Sequence, residues 1–282
     1  MNTSFGQNFR RDMGDRDLIS FIGAYDVFSA SIAARYYDGI FLSGFSFAAS
    51  FYGLPDIGFI AWSDIVSFAH RVRAVLPTSH ILVDIDDGYA DVEVACHVVS
   101  LLEHLGISGV ILEDQKRPRM CGHYDGKQLM DLDDFTLKLK RVLDTRRDMI
   151  VIARTDASES DEIFKRASAF SAAGADAILV DGLKDVDLIR SLRSLVPQPL
   201  VFNQIAGGKS PRMNARQLKE AGVSLVIYST PCLFAAQGAV DAALRALRES
   251  DGILARPGDG QVDVKSCTSL LKENLELRDR LS

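Results

Sequence analysis

The sequence predicts an α/β fold of the (β/α)8 TIM-barrel type, and three observations predict it. Short apolar runs recur eight times, helical patterns lie between them, and each run ends on polar or small residues. Near-continuous apolar runs without alternation mark strands buried on both faces. Strand and helix in strict alternation then call for a parallel sheet wrapped by helices. An open doubly wound sheet usually has fewer strands and a glycine-rich first turn. Here "GAYDVFSA" lacks the G-x-G-x-x-G spacing.

The runs, in order, are LISFIGAYD (18–26), GIFLSG (39–44), HILVDIDDG (80–88), GVILEDQ (109–115), MIVIARTD (149–156), AILVDG (177–182), LVFNQI (200–205) and LVIYST (225–230). Between the third and fourth, DVEVACHVVSLLEHLG has apolar residues at helical spacing and stops at Gly106. After the fifth, SESDEIFKRASAFSAAG opens on Ser and Asp, which can cap a helix, and stops at Gly174. DVDLIRSLRSLVP and NARQLKEAG follow the same plan after the sixth and seventh runs. The expected organisation is a catalytic barrel over residues 1–250, then a linker and helix over 251–282. ESDGILARPGDGQVDVKS carries Gly and Pro without a period and reads as a loop. SLLKENLELRDRL reads as a short amphipathic helix that lies on the barrel or docks on a neighbouring subunit.

Composition narrows the function. The 282 residues carry a formal net charge of -6, without the basic face that nucleic-acid binding needs. No stretch approaches the roughly 20 apolar residues that cross a bilayer, so no membrane role is expected. Met1 to Asp17 is polar and mixed in charge, unlike a signal or transit peptide. Cys96, Cys121, Cys232 and Cys267 lie far apart without metal-site spacing. The expected location is the reducing cytoplasm.

The polar strand ends carry the chemistry. In a barrel they gather at one rim, the face where such enzymes work. Asp84 and Asp86 are two apart on a predicted strand and so share one face. Adjacent carboxylates repel unless a cation or proton intervenes. Their oxygens, with Glu113 from the next strand end, suit Mg²⁺ or Mn²⁺. Each acid taken singly also fits a helix cap or a partner for Arg154. Arg154 suits a substrate carboxylate gripped bidentately, or a salt bridge to Asp156. Cys121 follows Lys116, Arg117 and Arg119 and precedes His123, and cationic neighbours are expected to favour its thiolate. His123 can ligate metal, act as a base or shape the loop. Ser43, Gly44 and Phe45 form a loop whose N–H groups suit a carboxylate, with Asp56 further on. Asn203 and the pair Gly207-Gly208 end the seventh run and its loop.

VDIDDG, ILEDQ…CGH, YGLPD and IARTD, in this order, resemble the isocitrate lyase and phosphoenolpyruvate mutase superfamily. The likeness spans about Phe21 to Gln237. It implies a barrel with its last helix exchanged between subunits in a homo-oligomer, a dimer or a dimer of dimers. It implies Mg²⁺ near Asp84, Asp86 and Glu113, and a 2-oxo-acid portion held by Ser43, Gly44, Phe45, Arg154 and Asn203. Tyr25, Gly122 and Asp181 complete the expected substrate-binding set. Asp56 matches the acid of a gating segment, and Cys121 matches the catalytic cysteine of the lyase branch. With Arg154, His123 and Asp56, Cys121 makes up the expected catalytic set.

The departures are Arg119-Met120 where that motif has two cations, Asp181 where many members have Glu, Ala206 for Glu, and Phe234 for an arginine serving an extra carboxylate. The implied activity is Mg²⁺-dependent retro-aldol cleavage of a small 2-hydroxy dicarboxylate of the substituted-malate type, with Cys121 as general acid. Tyr25, Asp56 and His123 are the candidates for the base. The runner-up is P–C bond chemistry of the carboxyphosphonoenolpyruvate mutase kind. A barrel that binds a dicarboxylate without turnover is the third reading.

Overall fold

The computed structural model describes residues 4–254 and 262–279. Residues 255–261 of the expected linker, and 280–282 of the expected last helix, lie outside the described residues.

All eight predicted strands form, and they close into a parallel barrel in sequence order. They are β1 (Ile19–Ala24), β2 (Gly39–Leu42), β3 (His80–Asp84), β4 (Gly109–Glu113), β5 (Ile150–Thr155), β6 (Ala177–Val180), β7 (Leu200–Asn203) and β8 (Val223–Tyr228). Several strands stop short of the apolar runs that predicted them. β3, for example, ends at Asp84, and the polar residues beyond it turn away as rim loops.

The helices in chain order are α1 (Phe5–Asp15), α2 (Val27–Ala33), α3 (Gly44–Phe47), α4 (Trp62–Val75), α5 (Val92–His104), α6 (Leu132–Thr145), α7 (Ser160–Ala173), α8 (Val186–Leu195), α9 (Ala215–Glu220), α10 (Pro231–Glu249) and α11 (Val264–Asp279). A π-helical turn, Ala48–Tyr52, follows α3. Asp91, Asp185 and Asn214 cap α5, α8 and α9 through their side chains, satisfying backbone N–H groups that have no partner within the helix. The expected cap of α7 does not form, since Glu159 occupies that position without a side-chain bond. Gly174 ends α7 at φ 94°, a conformation that L side chains rarely adopt.

Two apolar cores result. Phe21, Phe41, Leu82, Ile111, Ile152, Leu179, Val201, Leu225 and Ile227 fill the barrel interior. A larger core lies between the strands and the helices around them. The sequence reading missed α1, which closes the N-terminal end of the barrel. Its Phe9 is fully buried, edge-on to Phe21 at 5.2 Å and beside His80 at 5.1 Å. Polar chemistry is thereby confined to the opposite rim. Among the described residues no helix is long and apolar enough to cross a membrane.

The last two helices differ from the rest. No residue of α10 is buried. α11 begins five residues before the predicted helix, packs against α4, buries Leu270, and brings Glu273 to 3.5 Å from Arg35.

Phe9→Ala empties the plug, and the loss expected is about 3–5 kcal/mol in unfolding free energy, measured by urea denaturation. Ligand binding at the far rim should be retained under native conditions.

Candidate active site

Six carboxylates meet two guanidinium groups at the C-terminal rim. Strand alternation sends Glu113 inward and Asp114 outward. Glu113 is fully buried and 3.2 Å from the Arg154 guanidinium. Asp114 accepts from Arg166 of α7 at 3.0 Å and from the Asp156 amide at 3.0 Å, and so braces the wall.

Asp84 and Asp86 do come together, but not through the strand geometry expected of them. Asp86 lies past the end of β3 with φ at 51°. Its side chain is returned toward Asp84 by a turn, because left-handed backbone reverses the direction a strand would impose. Both carboxylates face Gly44, where an added Cβ would stand 3.2 Å from an oxygen of each. The turn is held from outside. Arg117 forks onto Asp87 with two bonds of 2.8 Å. Lys138, buried on α6, donates to the carbonyls of Asp87 and Ala90 at 2.8 and 2.9 Å. The sequence reading missed Lys138, because a lysine within an amphipathic helix looks like surface.

Arg154 makes the salt bridge to Asp156 that was weighed for it. Its Nε and Nη2 donate to Asp156 at 3.1 Å, Nη2 also meets Asp181 at 2.9 Å, and the group lines the cavity. Burial alone would lower its pKa, but Asp156, Asp181, Glu113 and Asp84 outweigh that and raise it well above the usual value. Asp181 moves the other way. Arg154, His123 and Asn203 overcome its burial and hold it far below the ordinary carboxylate range. Asn203 donates to Asp181 at 2.8 Å and accepts from Ser229 at 2.6 Å.

Arg119 is the residue whose role the sequence reading misjudged most. It was grouped with the cations around Cys121. Instead it is 1% exposed, ion-paired to Asp56, 2.7 Å from Glu113 and 3.3 Å from Asp86. Arg117 is engaged with Asp87, so it too is turned from the thiol. The thiolate expected for Cys121 is therefore not favoured. Burial first, then the charges of Asp181 and Asp56, push its pKa up to about 12, and the thiol keeps its proton.

A small, partly open cavity of about 30 Å³ lies at this rim, and Gly44, Asp86 and Glu113 stand behind its wall. Ser43, Phe45, Asp56, Asp84, Cys121, Gly122, His123, Arg154, Asp181 and Asn203 line it, over a floor of Phe41, Ile111, Leu179 and Ile227. At Gly122 a Cβ would overlap Asp181 and Arg154, so only glycine lets this backbone approach them. Tyr25 is not brought to the cavity wall. Its phenol lies near Asp26 and Cys232, and burial raises its pKa. His123 accepts the Lys209 amide through Nδ1 at 2.9 Å. That bond puts the ring proton on Nε2, which points to Asp181 at 3.6 Å. In this tautomer His123 presents a donor, not a base.

The acids suit a hard divalent cation in their chemistry. Both oxygens of Asp86, Oε2 of Glu113 and the Tyr89 hydroxyl are buried without a hydrogen-bond partner. Burial raises the pKa of Asp84 and Asp86, and that of Glu113 to about 8. Each sign marks negative charge that wants a counter-charge. Among the described residues no three His, Cys, Asp or Glu side chains form a ready-made cage. The two arginines stand among the acids instead.

The chain is similar to known proteins over most of its length. A family model described as phosphoenolpyruvate phosphomutase matches residues 9–248. The 2-methylisocitrate lyase of Bacillus subtilis (strain 168) is 35% identical over 247 residues, covering 86% of this chain and 81% of that one. A crystal structure of 2,3-dimethylmalate lyase superposes with a TM-score of 0.91 at 26% identity, covering 100% of this chain and 97% of that one. Phosphonopyruvate hydrolase, solved with oxalate and Mg²⁺, gives a TM-score of 0.84 at 26% identity, covering 98% and 97%. On this evidence the chain belongs to the phosphoenolpyruvate phosphomutase family, within the PEP mutase/isocitrate lyase superfamily.

Proposed function

We propose that the protein is a Mg²⁺-dependent carbon–carbon lyase that cleaves a small 2-hydroxy dicarboxylate of the substituted-malate type. The observation that carries this reading is the Cys121 thiol in the same cavity as Arg154 and Asp84, where burial favours its protonated form. A retro-aldol cleavage leaves a carbanion equivalent on the departing fragment, and that carbon needs an acid. A thiol held near pKa 12 retains its proton at neutral pH and can deliver it.

Asp84, Asp86 and Glu113 would hold the cation, with Mn²⁺ as the substitute. When bound, it supplies Lewis acidity that favours ionisation of the substrate's C2 hydroxyl. The chain's own groups do the rest. Arg154, already fixed by Asp156 and Asp181, orients a carboxylate at no further cost in ordering. Of the three expected bases, Asp56 is the acceptor that lines the cavity, and it takes the hydroxyl proton. The C2–C3 bond breaks, C2 becomes a carbonyl, and the bonding pair passes to C3. Cys121 protonates C3, and the proton taken up by Asp56 then returns to the thiolate, which resets both groups.

Charge and shape support the substrate class. Among the described residues Arg154 is the one guanidinium lining the cavity, so with the cation it would give a grip for two carboxylates and leave none for a third. Phe234, where an arginine would serve the third, stands edge-on to Phe45 at 6.2 Å. Ile205 adds another apolar wall. Four free thiols fit a cytoplasmic setting.

We also propose a homo-oligomer, with α10 exchanged between subunits as the superfamily resemblance implies. Val240 and Leu244 on α10 are 57% and 61% exposed, and Phe28, Ile32, Tyr36 and Tyr37 on and after α2 form another exposed apolar face. Such faces on a barrel usually mark contacts between chains.

Cys121→Ala should lower kcat on a substituted malate by on the order of 10²–10⁴ while leaving oxalate binding, read by calorimetry with Mg²⁺, within a few-fold. Retained turnover removes the thiol from the mechanism, and ³¹P NMR with a phosphonate precursor separates the mutase reading. Wild-type activity should show no loss from thiol ionisation as pH rises from neutral toward 10, because the ionised form appears only near pH 12. Leu244→Asp should shift the mass from light scattering toward the monomer, against an oligomer for the wild type.

A further inference from the structure

Cys121 lies in the segment from Lys116 to Gln128, which crosses over the cavity between β4 and α6. Backbone pairing closes the base of this segment. Gln115 bridges to Leu129, and the Lys116 amide donates to the Gln128 carbonyl at 2.7 Å. Nothing in that pairing reaches Cys121, six residues into the loop. Two side chains tie down the peptides on either side of it. Lys127 Nζ donates to the Gly122 carbonyl and, at 3.0 Å, to Asp156 Oδ1. Gln115 is 1% exposed, and its amide treats Met120 as a neighbouring strand. Oε1 accepts the Met120 N–H at 3.0 Å, and Nε2 donates to the Met120 carbonyl at 2.7 Å. The second proton of Nε2 goes to Asp156 Oδ2 at 3.1 Å. This pattern uses both donors and the oxygen, so only one orientation of the amide satisfies it.

The same Asp156 oxygen accepts from Arg154 Nε at 3.1 Å. Gln115 therefore ties the peptide before Cys121 to the carboxylate that orients the substrate-gripping arginine. On the other side, the Cys121 amide donates to the Asp56 carbonyl at 3.0 Å, and its carbonyl accepts from Tyr124 at 2.9 Å. These two bonds fix Cys121 to the gating segment and to its own loop. Neither refers it to Arg154.

We propose that Gln115 is a positioning residue for the reaction: its amide clamps the Met120 peptide to Asp156, which holds the Cys121 thiol in the cavity in register with Arg154. The inference rests on Cys121 being the proton donor. Placement of the thiol is nevertheless measurable without turnover.

Gln115→Met keeps the side-chain length and removes all three bonds. Gln115→Glu keeps an acceptor for the Met120 amide, loses both donors, and sets a carboxylate against Asp156. The test is iodoacetamide labelling of the full-length protein, followed by peptide mass spectrometry. Cys96, 6% exposed in the core behind α5, reports global unfolding in the same tube.

Loss of two to three bonds shifts local opening about ten- to a hundredfold, so Cys121 labelling should accelerate by that factor while Cys96 does not. Turnover of a substituted malate should fall about a hundredfold in kcat, with KM within a few-fold. Cys121 labelling within twofold of wild type in both variants overturns the proposal. So does parallel acceleration of Cys121 and Cys96, which marks a merely structural residue. If Gln115→Met does not fold, Gln115→Glu carries the same comparison. Faster Cys121 labelling with no substituted-malate activity even in the wild type would instead uphold the clamp and remove the lyase reading.

Discussion

A rim built from Asp56, Asp84, Asp86, Glu113, Asp156 and Asp181 would push itself apart without the guanidinium groups of Arg119 and Arg154. Those two side chains, with Lys127 on Asp156, are what allow the acids to be buried together. Three cations do not balance six carboxylates. The deficit is not shared evenly, for Asp181 is drawn far down by its partners while Asp84, Asp86 and Glu113 are pushed up. The shortage of positive charge is thus concentrated at the three acids of β3, β4 and the turn between β3 and α5. The divalent ion of the proposed function would answer several of these carboxylates at once.

This arrangement does not stabilise the fold cheaply. Taking ions out of water costs several kcal/mol each, and their mutual attraction repays it only where the geometry is good. The stability comes from elsewhere, from the apolar barrel interior and the larger core beneath the helices. α1 closes the far end with Phe9. The division is physical: one end of the barrel is sealed and apolar, and the other carries charges that the sealed end supports.

The strands were legible because burial on both faces writes itself into composition. The rim was legible because every run ends in polar or small residues, even though some of them, such as Asp26 and Ser43, also cap the helices that follow. Legibility failed wherever a residue's neighbours in space are not its neighbours in sequence. Asp84 and Asp86 were correctly paired for a reason that does not hold, since a left-handed turn and not a strand brings them together. Cys121 sits amid cations along the chain, yet Arg117 and Arg119 are spent on acids and burial decides the proton. Gln115 was seen only as a letter of the ILEDQ motif and Lys138 not at all, and neither gave a sign of these contacts. Each works by holding backbone carbonyls or amides of another segment, and such partners leave no pattern in a single sequence.

The same burial that keeps the Cys121 proton in place sets a condition on turnover. A thiolate formed in the cavity faces the charge of Asp181, and Arg154 is already committed to other acids. The thiolate is therefore a strong base that regains a proton from the nearest donor. His123 Nε2 lies 3.6 Å from Asp181 without a hydrogen-bond partner, while Lys209 occupies Nδ1. Asp56 lines the same cavity and, under the proposed function, already carries the proton taken from the substrate hydroxyl. Passing that proton to the sulfur restores both groups at once, so the acid that quenches the carbanion is reset by the base that began the cleavage.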